Sequence, residues 1–90
     1  MSRKILVIED DPMLGKLLSY NLKQEGYDVT VIEHGKEGMN EAVQNVYDLI
    51  ILDLMLPGMN GFDILKALRD SQIKTPVIIL TARNAEEDIV

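Results

Sequence analysis

The stretch LIILDLMLPGMNG, residues 49–61, is the part of the chain that decides the fold. It begins with an apolar run, meets a single carboxylate at Asp53, and then breaks into a turn at Pro57 and Gly58. A short, continuous apolar run is typical of a parallel strand that is covered on both faces. Aspartate disfavours strands, so the position of Asp53 at the end of the run calls for a functional explanation.

Further apolar runs of the same kind lie on either side of this stretch. They occupy Ile5–Ile8, Val29–Ile32 and Val77–Leu80. Pro76 stands directly before the last run and biases the residue ahead of it away from helix, which marks a boundary there. Together with Leu49–Leu52, which Asp53 closes, these runs predict four strands.

Apolar residues recur at helical spacing between the predicted strands. Asp11 followed by Pro12 is typical of an N-cap and a first helical residue, and Gly26 is expected to end that helix in a left-handed conformation. Asn84 and Glu87 have the spacing of a capping box and predict the start of a fourth helix. The buried stripes are expected at Leu14, Leu17, Leu18 and Leu22, at Met39, Ala42, Val43 and Val46, and at Phe62, Leu65 and Leu68.

Strands that alternate with amphipathic helices predict an α/β fold, with a mostly parallel sheet covered by helices on both faces. Right-handed crossovers restrict the topology further. The chain has 90 residues and no linker-like or low-complexity segment, so residues 1–90 are expected to form one domain.

The composition excludes several kinds of function. The chain has a net charge of −6, which argues against a domain that binds nucleic acid by itself. It has no cysteine and a single histidine, His34, so thiol catalysis, cysteine-bound zinc and a site built on several histidines are excluded. The apolar run after the N-terminus is too short for a signal peptide or a membrane span, which makes a cytoplasmic location the default expectation.

Acidic and hydroxyl side chains leave the strands at the edge where open α/β sheets carry their functional sites. Glu9, Asp10 and Asp11 follow the first strand, and Asp53 ends the third. If these two strands are neighbours, the carboxylates converge, and oxygen-only ligands of this kind suit Mg2+. Other interpretations remain open, because Asp11 also fits an N-cap and Asp10 also fits a solvated loop. Thr81 and Ala82 follow the fourth strand, and Thr81 also fits an ordinary strand end.

Three motifs carry a resemblance to a known family. They are ILVIEDD at 5–11, DLIILDLMLPGMNG at 48–61 and PVIILTA at 76–82. In this order and at this spacing the chain resembles the receiver domain of bacterial two-component response regulators, most closely the receivers that precede winged-helix DNA-binding domains. The resemblance implies a flavodoxin-like, doubly wound parallel sheet, here with four strands in the order 2-1-3-4, three helices and the start of a fourth.

The resemblance also implies a role for each matching residue. Asp53 would accept a phosphoryl group from a sensor histidine kinase, and Glu9 and Asp10 would hold Mg2+ together with Asp53. The backbone carbonyl of Met55 would complete the protein's share of the metal shell. Thr81 would be the switch hydroxyl and Ala82 the small residue beside it. Such a domain is a signalling protein rather than an enzyme, with at most self-phosphorylation and self-dephosphorylation.

The chain departs from the family pattern at its end. It stops at Val90 inside the fourth helix, so most of that helix, the fifth strand and helix, the lysine that leaves the fifth strand and any output domain are expected to be missing. The strand Val77–Leu80 would then be an apolar edge, which a second copy of the chain or a complementing segment is expected to cover.

Two other functions stay open at this point. One is a phosphorylation-impaired receiver fragment that acts as a folding or assembly unit, in a swapped oligomer or as half of a chimera. The other is a Mg2+-dependent phosphohydrolase. It is disfavoured because Met55 stands where a second aspartate would act as general acid.

Overall fold

A computed structural model describes residues 3–56 and 59–80 of the chain. The strands are β1 (Lys4–Ile8), β2 (Asp28–Ile32), β3 (Leu49–Asp53) and β4 (Val77–Leu80). The helices are α1 (Pro12–Gln24), α2 (Gly35–Ala42) and α3 (Gly61–Asp70). The predicted turn at 57–58 and the predicted fourth helix after residue 83 lie outside the described residues.

The four strands form one parallel sheet in the order β2-β1-β3-β4. This arrangement confirms the predicted fold class and strand order. β1 and β3 occupy the centre, and the apolar runs that identified them are buried because helices cover both faces of the sheet. The central position of these two strands places their carboxyl ends side by side.

Alternate residues of the central strands point to opposite faces and build two apolar clusters. The cluster beneath α2 and α3 includes Leu6, Leu52, Ile64 and Leu68, all fully buried. The cluster beneath α1 is smaller, and Leu18 and Leu22 of the helix pack against it. Both clusters hold the ends of β1 and β3 in place.

The buried face of α1 differs from the predicted stripe. Leu18 and Leu22 pack on the sheet, but Leu17 is 57% exposed. Gly15 lies on the buried face instead, where an added Cβ would stand 3.1 Å from a methyl carbon of Val31. The helix therefore contacts the sheet through positions 15, 18 and 22, and Leu17 points away from it.

The predicted stripe of α2 was also wrong in its second half. The helix ends at Ala42, and Val43 and Val46 are exposed beyond it. Asn45 has a φ of 59°, a left-handed conformation that turns the chain towards β3. Gly38 occupies the buried face, because a Cβ there would come within 2.7 Å of the Ile8 side chain.

α3 confirms Leu68 as a core residue and Leu65 as a residue packed against the core, but not Phe62. Phe62 is exposed and Leu65 is partly buried, whereas Ile64 is fully buried four residues before Leu68. Gly26, after the C-terminal end of α1, has a φ of 94°, so the left-handed residue lies where the sequence predicts it. No helix in the described part of the chain is long and apolar enough to cross a membrane.

β4 pairs with β3 on one side only, within residues 3–56 and 59–80. Ile78 is 50% exposed and Ile79 is 36% exposed. The strand is therefore an apolar sheet edge in the described part of the chain, as the sequence predicted.

Candidate functional site

The parallel register of β1 and β3 brings two carboxylates to the same level. Ile8 pairs with Leu52, so the next residues, Glu9 and Asp53, stand side by side at the carboxyl edge of the sheet. The amide of Glu9 donates to the carbonyl of Ile32 in β2 at 3.0 Å, which continues the sheet pairing by one residue. The sheet pairing therefore fixes the backbone positions of Glu9 and Asp53.

Glu9, Asp10 and Asp53 form one acidic cluster. Each offers a carboxylate oxygen, and the three oxygens lie within 4.8 Å of one another. Glu9 and Asp53 are almost completely buried, at 3% and 4% exposed, whereas Asp10 is exposed to solvent. The cluster thus has a buried floor and one open side.

Backbone amides orient the two buried carboxylates. The Asp11 amide donates to Oε2 of Glu9 at 3.0 Å, and the Met55 amide donates to Oδ1 of Asp53 at 3.1 Å. Asp11 itself is the N-cap of α1, because its Oδ1 accepts a hydrogen bond from the Met13 amide at 3.0 Å. The N-cap interpretation of Asp11 is therefore confirmed. Asp10, by contrast, is both solvated and a member of the cluster.

The cluster carries an unfavourable concentration of negative charge. Burial, the largest cause, raises the pKa of Glu9 from 4.5 to about 7. The hydrogen bond from the Asp11 amide works in the opposite direction, and the neighbouring Asp53 and Asp10 add to the rise. In the described part of the chain the salt bridge found joins Lys66 to Asp70 on the surface of α3, so the cluster has no cationic side chain paired with it there.

The donor set fits a hard divalent cation. All donors are carboxylate oxygens, and the chain has no cysteine. His34, its single histidine, is exposed at the N-terminal end of α2 and is not a member of the cluster. Mg2+ prefers one or two carboxylates, several waters and phosphate oxygens, and an exposed Asp10 leaves room for such additional ligands.

The structure describes only some of the residues that the sequence singled out. It brings Glu9, Asp10 and Asp53 together and places Met55 two residues after Asp53, linked to it by the amide hydrogen bond. Thr81 and Ala82 lie outside the described residues. Their predecessor, Leu80, pairs with Asp53 and accepts a 3.2 Å hydrogen bond from the Leu54 amide, so β4 ends beside the acidic cluster.

Sequence reasoning missed one residue that contacts the site. Gly61 begins α3, directly after the N-cap Asn60, and its amide donates to the carbonyl of Leu54 at 3.1 Å. A glycine at the first position of a helix is a visible signal, because other residues favour helices more strongly. The sequence alone does not show what the missing side chain would have met.

A doubly wound parallel sheet with buried carboxylates at the ends of its two central strands defines an α/β domain with an acidic functional edge. Residues 5–90 match the family model described as the response regulator receiver domain. The chain belongs to this family, and it is a receiver domain of two-component response regulators.

Relatives with known sequences and structures agree with this assignment. The chain is 45% identical over 87 residues to the response regulator ArlR of Staphylococcus saprophyticus. The aligned region covers 97% of this chain and 39% of that protein. It spans about two fifths of the length of the curated relatives it matches.

Solved structures of receiver domains have closely similar folds. The receiver domain of Francisella response regulator 1452 has a TM-score of 0.88 and 38% identity, over 97% of this chain and 72% of that one. The receiver domain of the sensor histidine kinase PA1611 from Pseudomonas aeruginosa has a TM-score of 0.89 and 28% identity, over 99% of this chain and 75% of that one. That structure has a magnesium ion coordinated in its active-site cleft.

Proposed function

We propose that the protein is a phosphoacceptor in two-component signal transduction, with Asp53 as the residue that takes a phosphoryl group from a sensor histidine kinase. The observation that carries this proposal is the cluster of three carboxylate oxygens within 4.8 Å at the carboxyl edge of the sheet. Membership of the receiver family supports it independently.

The chemistry asked of Asp53 is nucleophilic attack by a carboxylate oxygen on phosphorus. The bond from phosphorus to the imidazole nitrogen of the donor breaks, and an acyl phosphate forms on Asp53. Transfer of this kind depends mainly on positioning and charge neutralisation. The hydrogen bond from the Met55 amide to Oδ1 of Asp53 holds the carboxylate in one orientation and so contributes to positioning.

Mg2+ is the proposed cofactor, held by Glu9, Asp10, Asp53 and the backbone carbonyl of Met55. When bound, the ion would neutralise charge that develops on the phosphoryl oxygens. The raised pKa of Glu9 supports this site, because a buried carboxylate group that is costly to ionise gains stability when a cation binds beside it. The magnesium ion in the PA1611 receiver domain supports it as well.

Thr81 and Ala82 are proposed as the switch residues. A phosphoryl group adds about −1.5 to −2 charges at neutral pH, which is enough to attract the Thr81 hydroxyl and bias a nearby loop. The register supports this role, since Thr81 directly follows Leu80, the residue that pairs with Asp53.

The exposed face of α1 is the proposed contact surface for the kinase. Met13, Leu17 and Tyr20 are 80%, 57% and 64% exposed, and their spacing places them along one side of the helix. The helix begins one residue after Asp11, so this apolar face adjoins the acidic cluster. An amphipathic helix of a partner can pack on such a face and bring its phosphohistidine to Asp53.

The remaining expectations depend on parts of the system beyond the described residues. A cytoplasmic location and a DNA-binding output domain stay predictions. The cover over the β4 edge also stays a prediction, and light scattering coupled to size-exclusion chromatography tests it. A strictly monomeric, well-folded species would contradict it.

A small-molecule phosphodonor tests the central proposal without requiring a cognate kinase. The protein is incubated with acetyl phosphate and Mg2+, and its intact mass is measured. We expect the gain of one phosphoryl group in the wild type and none in Asp53→Asn. Asp63→Asn, an exposed acidic residue in the first turn of α3, is the matched control and is expected to label normally. An unlabelled wild type would refute the phosphoacceptor role and favour the assembly-unit alternative. An adduct that survives Asp53→Asn would place the acceptor elsewhere.

A further inference from the structure

Two glycines contact the segment that carries the candidate phosphoacceptor, one from each end. Gly61 lies against Asp53 and Leu54 at the start of α3, and Gly35 lies against Met59 at the start of α2. Neither glycine has a left-handed φ, so backbone conformation does not explain why the side chain is missing. The explanation must lie in the space around each residue.

The space beside Gly61 is occupied by the backbone of the site itself. A Cβ on Gly61 would lie 2.6 Å from the carbonyl oxygen of Asp53 and 2.8 Å from the Cα of Leu54. Ordinary van der Waals contact begins at 3.4 Å, and neither of these atoms can rotate away as a side chain could. Any larger residue at position 61 therefore has to move the end of β3 or the start of α3.

The same segment is held at its other end by α2. A Cβ on Gly35 would lie 2.8 Å from the carbonyl oxygen of Met59 and 2.9 Å from its Cβ. Both contacts involve atoms close to the backbone, which leaves the neighbour little freedom to yield.

Hydrogen bonds connect the Gly61 contact to the acidic cluster. Leu54 donates to Leu80 in β4 and accepts from the Gly61 amide, so its position is set from two sides. The next amide, that of Met55, donates to Oδ1 of Asp53. A displacement of Leu54 is consequently transmitted to both the carboxylate and the Met55 backbone.

We infer that Gly61 and Gly35 are positioning residues, whose missing side chains let α3 and α2 seat the segment so that Asp53 and the Met55 backbone face the cation site. This inference rests on the proposed function. Groups that orient metal ligands typically contribute about 10- to 100-fold to metal affinity, and a 1 Å misplacement of reacting groups costs a factor of about 100 in rate.

Alanine variants test the inference, with Leu68→Ala as the control for general destabilisation. Leu68 is fully buried in the last turn of α3, at the opposite end of that helix from Gly61, so its substitution disturbs the core without touching the segment. For each protein, the Mg2+ dissociation constant is measured by calorimetry, the labelling rate with acetyl phosphate by mass spectrometry, and the unfolding free energy by urea titration.

We expect Gly61→Ala and Gly35→Ala to weaken Mg2+ binding at least about tenfold and to slow labelling, while Leu68→Ala loses stability but keeps the wild-type Mg2+ affinity. Addition of Mg2+ should shift the backbone NMR signals of Asp53 and Met55 in the control and to a smaller extent in the two variants. If Gly61→Ala does not fold, Gly35→Ala decides by the same criteria.

Three results would overturn the inference. One is a folded Gly61→Ala or Gly35→Ala with wild-type Mg2+ affinity and labelling rate. Another is an equal loss of affinity in Leu68→Ala, which would assign the effect to general destabilisation. The third is a wild type that neither binds Mg2+ nor is phosphorylated by acetyl phosphate. That result refutes the proposed function as well, and it is distinguished from the other two because it is seen in the wild type alone.

Discussion

Replacing Glu9 with glutamine should stabilise the protein at alkaline pH. Glu9 is 3% exposed and its pKa is raised from 4.5 to about 7, mainly by burial. Below pH 4.5 the group is protonated in both the folded and the unfolded chain, so it has no effect on stability. Between pH 4.5 and 7 the unfolded chain releases the proton that the folded chain retains, so stability falls as the pH rises. Above pH 7 the full penalty is present.

The size of this effect follows from the two pKa values. The difference between 4.5 and about 7 corresponds to about 3 kcal/mol of unfolding free energy. Glutamine has the same shape and carries no charge, and its side-chain oxygen can still accept the hydrogen bond from the Asp11 amide. We therefore expect Glu9→Gln to exceed the wild type by about 2–3 kcal/mol at pH 8 and to equal it near pH 4.5.

Urea unfolding followed by far-ultraviolet circular dichroism measures the difference. Both proteins are titrated at pH 4.5, 6 and 8 in the presence of a chelator, so that no divalent cation compensates the charge. Saturating Mg2+ at pH 8 should then stabilise the wild type more than the variant, since a ligand stabilises the state that binds it. Equal stabilities at all three pH values, or a variant that is less stable at pH 8, would refute the argument that Glu9 is costly to ionise.

Three further changes test other parts of the structure. Leu6→Ala should lower the unfolding free energy by about 2–5 kcal/mol, because Leu6 is fully buried. Leu17→Ala should change it by less than about 0.5 kcal/mol, and urea titration measures both. Leu17→Ser should reduce phosphotransfer from any histidine kinase that labels the wild type while labelling by acetyl phosphate is unchanged, and equal losses with both donors would contradict a docking role for α1. Arg69→Ala should cost about 1–3 kcal/mol in the same titration, since its guanidinium donates to the carbonyls of Ile73 and Thr75 at 2.6 and 3.1 Å, and Lys66→Ala, which removes an exposed salt bridge, is the control expected to cost much less.

The strands could be predicted closely from the sequence because they are buried on both faces. Each observed strand coincides with a predicted apolar run to within one residue at either end. Charged or turn-forming residues stand where burial ends, so composition alone marks the limits. The strand order, by contrast, came from the family resemblance, since apolar runs do not reveal which strands are neighbours.

The buried faces of the helices could not be predicted in the same way. A search for apolar residues at helical spacing overlooks glycine, which contributes no apolar side chain. Gly15 and Gly38 occupy the positions of closest approach to the sheet, where a Cβ would meet Val31 or Ile8. The contact stripes of α1 and α2 therefore include glycines, and a pattern centred on leucines wrongly places Leu17 in the core.

The residues of the acidic cluster could be predicted from the sequence, but their burial and the raised pKa of Glu9 could not. The carboxylates follow two runs that were recognisable as strands, so their meeting depends only on those strands being neighbours. Pro12 directly after Asp11 indicates which of the two adjacent aspartates caps α1, and the structure confirms this. The sequence does not show that Asp10 joins the cluster while it stays exposed to solvent. The raised pKa of Glu9 depends on burial by the whole fold, which no local pattern reports.

The position of the cluster explains how the fold tolerates it. Like charges that lie close together and are buried destabilise a folded chain, and here the two buried ones stand at the ends of the central strands. These strands also contain Leu6, Ile8, Ile50 and Leu52, which are fully buried and contribute about 1.5–3 kcal/mol each by burial. The best-supported part of the sheet thus carries the least favourable charges, and the apolar burial around them offsets their cost. The proposed Mg2+ site therefore predicts a higher unfolding free energy in the presence of Mg2+ than in its absence.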